Sequence, residues 1–179
     1  MRDMSRVYPG RRCAPPPRTG VRSRGRRLRN VRRVSDPFSL SRFETAQAES
    51  GTYERAVLEL RAGRKRSHWM WFVFPQLHGL GHSPMSQRYA ISSLAEARAY
   101  LEHPVLGARL IECTRIVAEL RESSAQDVFG VTDATKLRSS MTLFARVCSE
   151  DSVFHVVLAR YFDGQLDVNT QARLESGGE

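Results

Sequence analysis

Lysine is almost missing from this chain. Its 28 basic residues include only two lysines, Lys65 and Lys136. Cysteine is sparse as well, at three: Cys13, Cys113 and Cys148. None belongs to a CxxC or CxxH pair, and no HExxH occurs, so spacing supports no metal site. Odd, sparse cysteines suit a reducing compartment, and a cytoplasmic location is expected. The longest apolar run, Trp69 to Phe74, is six residues, against roughly 20 needed to cross a bilayer. A soluble chain with no membrane partner is expected. No GxSxG, Walker pattern, Ser-His-Asp order or recognisable pair of catalytic carboxylates is found. No cofactor is expected.

The net charge of +9 is uneven along the chain. Residues 1–34 hold twelve arginines and one acid, Asp3, and so carry +11; the remainder holds 16 basic and 18 acidic residues and carries −2. The high pI therefore does not mark a nucleic-acid-binding domain. Residues 1–36 are rich in Arg, Pro and Gly without apolar periodicity, and read as a disordered leader. An upstream extension with no selected role, such as a misassigned start, is the favoured account. A transit-like peptide or an arm touching nucleic acid non-specifically are the others. A secretory signal is excluded because no apolar region follows the charges.

From residue 37 the pattern is helical, and a single all-α domain is expected over 37–174, with a flexible tail at 175–179. Thr52 caps a helix whose apolar face is Tyr53, Ala56, Val57 and Leu60, ended by Gly63. Ser67 caps a short helix through the tryptophans, stopped by Pro75; a buried strand is the competing reading of WMWFVF. Ser83-Pro84 starts another helix. Ser93 and Glu96 form a capping box. After His103-Pro104 comes the longest helix, with Leu106, Leu110, Cys113, Val117 and Leu120 as one stripe. Ser124 and Asp127 open a segment closed by Gly130. Thr132 or Asp133 caps a helix with Leu137, Met141, Phe144 and Cys148 on one side. Asp151 or Ser152 caps a last one through Phe154, Val157, Leu158 and Tyr161 to Gly164.

Three places carry chemistry. The first is GRKRSHWMWFVFPQ: two indoles beside Arg64, Lys65, Arg66 and His68, with Gln76 following. Aromatic faces beside fixed positive charge suit a flat or anionic ligand. Trp69 and Trp71 lie about 160° apart on a helix, so one can be core while the other faces a ligand. The second is the stretch 130–144. Lys136, Ser139 and Ser140 share a helix face there, and mid-helix hydroxyls suggest donors, with Arg138 off to the side. The third is the glycine loop 77–84, where backbone can approach a ligand, although a plain turn is the favoured reading. In this scheme Trp69 or Trp71 stacks a base. Arg64, Lys65, Lys136 and Arg138 hold phosphate, Ser139 and Ser140 donate hydrogen bonds, and His68 is the candidate acid–base.

Several of these blocks resemble one bacterial family. SHWMWFVFPQLHGLG, YAISSLAEARAYLEHPVLGARL, DVFG and KLRSSMTLF are similar to the domain of unknown function 1810, over about residues 38–174. The resemblance implies a mainly helical protein of unassigned function. A fainter similarity reaches the NADAR family, whose members are implied to cleave N-glycosidic bonds in ADP-ribose-like or riboflavin-precursor nucleosides. The residue before His68 is Ser67 rather than the acidic residue of that motif, and an oxocarbenium-like transition state wants a carboxylate close by. The expectation is a pocket for a nucleotide-like or other anionic small molecule, acting on N-glycosidic or ADP-ribose-type compounds. The alternative is a non-enzymatic helical module that anchors a partner protein through exposed aromatics.

Overall fold

The structure is a computed structural model, described over residues 36–121 and 124–176. The arginine-rich leader lies outside these residues except for Asp36. That carboxylate accepts hydrogen bonds from the N–H groups of Leu40 and Ser41 at 2.7 and 3.0 Å. Asp36 thus ties the turn before α1 to the start of that helix.

The helices are α1 (Ser41–Ala48), α2 (Thr52–Arg61), α3 (Met70–Val73), α4 (Pro84–Arg88), α5 (Leu94–Glu102), α6 (Leu106–Glu119), α7 (Ala125–Ala145), α8 (Val153–Phe162) and α9 (Val168–Ser176). The fold is all-α. Among the described residues the only β pairing is an isolated bridge between Leu77 and Ile91. The stripe of α6 is the centre of the core: Leu106, Leu110, Cys113 and Val117 are all buried. α2, α3, α5 and α8 pack around α6, α7 lies against α5 and α8, and α9 closes over α7.

Local chemistry sets these elements with some departures from expectation. Ser83 accepts a hydrogen bond from Ser86 N–H and Pro84 occupies the first turn, so α4 starts where the sequence places it. Ser93 caps α5 through Glu96 N–H. The return half of the capping box is not formed. The Glu96 carboxylate turns to Ser92 N–H and Oγ, at 2.7 and 2.6 Å, and pairs with Arg42 at 2.7 Å. A buried carboxylate is held better by a guanidinium and two donors than by one backbone N–H. Thr52 is the first residue of α2 rather than its cap, because Gly51 at φ 66° makes the turn. α7 is two helical segments joined at a kink, and the second, from Val131 to Ala145, matches the 14-residue α6 in length. It takes in both segments expected on either side of Gly130, whose φ of 74° and ψ of 165° break the helical path. Gly107 is required by close packing. A Cβ there would collide with the Leu101 carbonyl, so α6 can begin directly against the end of α5.

α9 lies beyond the expected helices, and it includes residues 175 and 176 of the expected tail. Its signal was present in Asp167-Val168-Asn169-Thr170. The Asp167 carboxylate accepts hydrogen bonds from both Thr170 N–H and Thr170 Oγ1, at 2.8 and 2.7 Å.

Candidate functional site

A helix of one turn is not stable alone, so α3 has to be held from outside. Its carbonyl at Phe72 accepts hydrogen bonds from Gln47 Nε2 of α1 at 2.7 Å and from the buried Tyr100 hydroxyl of α5 at 3.2 Å. Arg109 of α6 in turn donates to Gln47 Oε1 at 3.2 Å. The segment before α3 is held by Glu59, at the end of α2. Its carboxylate receives Arg66 N–H, Ser67 N–H, Ser67 Oγ and Trp69 Nε1 at 2.6 to 3.0 Å. Burial opposes its charge, but these donors prevail and lower its pKa from 4.5 to about 2. Ser67 therefore does not cap α3, because its hydroxyl is committed to Glu59. Trp69 occupies the cap position with no side-chain cap.

The two indoles have different surroundings. Trp69 is fully buried, tilted against Phe74 and edge-on to Phe129. It cannot stack a ligand, because the core already covers its faces. Trp71 is half-buried and lines a cavity of about 650 Å³. Gln76, Leu80, His82, Lys136, Ser139 and Asp167 are also on its wall. Gln76 is set there by the bridge: its carbonyl accepts Ile91 N–H at 2.8 Å, and Ile91 O accepts His78 N–H at 2.8 Å. The glycine loop supplies the rim through Gly81, His82 and Ser83. The opposite wall is the second segment of α7. Because Gly130 breaks the helix, that segment starts afresh at Val131 and Thr132, both on the cavity. The first N–H groups of a helix segment lack carbonyl partners within it.

Lys136 on this wall shares a carboxylate that lies off the cavity. Asp133 pairs with Lys65 at 2.6 Å and with Lys136 at 2.7 Å. Burial acts to raise its pKa, but the two ammonium groups outweigh it and hold the carboxyl below its ordinary value. Two positive charges against one negative leave the cluster at +1. Lys136 also sits 4.7 Å from the centre of the Trp71 ring, and Lys65 lies 5.1 Å from that of Trp69. The two lysines of the chain thus meet at one aspartate, each over a different tryptophan.

Of the expected site residues, Trp71, Gln76, Lys136 and Ser139 line the one cavity. Lys65 is not on its wall and is linked to Lys136 through Asp133. The others stand elsewhere. Arg64 is exposed and off the cavity. His68 is exposed, its ring stacked on Trp71 with centroids 6.5 Å apart, and it does not line the cavity. Arg138 is turned to the 163–167 turn, where Nε donates to Gln165 O and an Nη to Leu166 O, both at 3.1 Å. It is off the Trp71 cavity but lines the adjoining hollow beside Tyr161 and Phe162. Ser140 is fully buried and its hydroxyl makes no hydrogen bond among the described residues. It serves as a small residue in packing, not as a donor to a ligand.

Asp167 is the carboxylate on the cavity wall, with Asp133 behind Lys136 and Glu59 bracing the loop before α3, and none stood among the expected site residues. His78 and His82 stand four apart, but they lie in the glycine loop, and no group of three potential metal ligands gathers among the described residues. No helix among them is long and apolar enough to cross a membrane.

These observations define the class: an all-α protein whose one-turn tryptophan helix and broken α7 face each other across a mainly apolar cavity with a few polar groups on its wall. Residues 37–174 match the model of a protein family described as protein of unknown function (DUF1810), and the chain belongs to that family. Among solved structures it is similar to the crystal structure of the conserved hypothetical protein Rv1873 from Mycobacterium tuberculosis. That similarity has 55% sequence identity and a TM-score of 0.75, and covers 78% of this chain and 99% of that one. Comparison with curated proteins returned no match.

Proposed function

We propose that the cavity between Trp71 and α7 binds a nucleotide-like small molecule. The observation that carries this reading is the meeting of Trp71 and Gln76 with Lys136 and Ser139 on one wall of about 650 Å³. A hollow of that size matches a ligand of nucleotide dimensions. The base stacks on the Trp71 indole beside the Lys136 ammonium. Gln76 offers both a donor and an acceptor to a base edge. The anionic group is received by Lys136 at the start of the second α7 segment, where the lysine–aspartate cluster carries a net positive charge. Where the protein acts on such a ligand, the bond at issue is the N-glycosidic one, since the wall also holds a carboxylate, Asp167.

The test is thermal melting of the full chain with AMP, ADP-ribose, NAD and flavin precursors, for the wild type and Trp71→Ala. A ligand present at 100 times its Kd adds about 2.7 kcal/mol of stability. That amounts to a rise of roughly 8 °C for a chain of this size. The expected result is a rise for at least one nucleotide that Trp71→Ala removes. No rise for any of them refutes the reading. A stoichiometric protein partner lost in Trp71→Ala would instead favour the interaction module. Release of free base on prolonged incubation separates cleavage from binding.

A further inference from the structure

Asp167 is the residue of the cavity that the nucleotide reading has not used fully. Its residue surface is only 7% exposed, yet it lines the Trp71 cavity and also the adjoining hollow of about 380 Å³ beside Tyr161 and Phe162. Its position is fixed from three sides. Its N–H donates to Thr142 Oγ1 of α7 at 2.8 Å. Oδ2 takes both hydrogen bonds from Thr170. Arg138 holds the two preceding carbonyls, Gln165 O and Leu166 O. Oδ1, by contrast, accepts no hydrogen bond among the described residues, although it is not sealed in the core either. A carboxylate oxygen left without a protein donor at the edge of a cavity is open to one. One built so rigidly on two cavity walls fits a donor arriving with the ligand.

We infer that Asp167 reads the ribose of the ligand, accepting hydrogen bonds from its 2′,3′-diol through Oδ1. This rests on the nucleotide reading above and adds the substrate class: ribonucleotides rather than deoxyribonucleotides. The charge arrangement agrees. Lys136, at the start of the second α7 segment, receives the anion, whereas Asp167 repels one and accepts from hydroxyls. Carboxylates meet ribose diols in this way in dinucleotide sites of unrelated fold.

The experiment is calorimetric titration of the full-length wild type and of Asp167→Asn with AMP, 2′-deoxy-AMP and 2′,3′-dideoxy-AMP. Asn is as good a cap as Asp and keeps an oxygen for Thr170, so the variant retains α9. Removing both hydroxyls should weaken binding to the wild type by about tenfold or more, the effect of a hydrogen bond to a charged group. In Asp167→Asn the difference should shrink to within about threefold. Equal binding of all three by the wild type overturns the assignment and leaves the nucleotide site standing. Diol selectivity unchanged in Asp167→Asn also overturns it. Absence of binding by every probe overturns both.

Discussion

Glu59 offers the sharpest quantitative test of how the site is held. Replacing it by alanine removes the acceptor of four hydrogen bonds at once. The indole N–H of Trp69 belongs to a side chain with no exposure; leaving such a donor unmet costs roughly 1–3 kcal/mol. The Arg66 and Ser67 groups lie nearer water, which replaces the carboxylate at a loss of a few tenths of a kcal/mol each. The sum is about 3 kcal/mol, or a fall in Tm of roughly 10 °C for a unit of this size. Glu59→Gln keeps an oxygen for Trp69 and should lose about half as much. The pH dependence has a fixed sign. The folded-state pKa is depressed from 4.5 to about 2. The stabilisation is therefore complete above the unfolded value and is lost as pH falls through the window between the two. Circular dichroism melts of wild type and Glu59→Ala should differ most near pH 7 and converge toward pH 2. A variant melting within about 2 °C of the wild type at pH 7, or a gap that does not narrow in acid, would refute the staple.

Three further outcomes follow from packing. Trp69→Ala should cost about 3–5 kcal/mol in urea unfolding, whereas Trp71→Ala should cost well under half of that, since only Trp69 is core; equal losses would contradict the division of roles. Ser140→Ala should be neutral or slightly stabilising, because a buried hydroxyl without a partner is removed; a loss above about 1 kcal/mol would reveal a hydrogen bond the structure does not contain. Gly107→Ala should destabilise by at least about 1–3 kcal/mol, because its methyl group meets the Leu101 backbone and neither can yield cheaply; a wild-type melting curve would show that α5 and α6 are less closely apposed.

Part of the site was legible in the sequence because it depends on residue chemistry. Trp71, Gln76, Lys136 and Ser139 were recognisable as an aromatic face, an amide, a cation and a hydroxyl in segments with too much polarity for plain core. The remainder was not. Lys65 and Arg138 look like the same kind of free cation as Lys136, yet one is buried against Asp133 and the other clamps the turn before α9. Ser139 and Ser140 are adjacent and chemically alike; a rotation of about 100° per residue puts only the first on the cavity. His68 has the imidazole an acid–base needs, but its backbone belongs to the loop held by Glu59 and leaves the ring outside.

Apolar periodicity, capping serines and the glycine positions sufficed for an all-α chain and for most helix starts, since these are governed by contacts within a few residues. The same local rules left the tryptophans undecided, six apolar residues being too few for a period. Only the packing of α2, α6 and α7 distinguishes the swallowed indole from the open one. The carboxylates tell the same story over longer range. Whether Glu59, Asp133 or Asp167 braces a loop, joins two lysines or lines a cavity depends on which donors arrive from segments that local sequence does not connect.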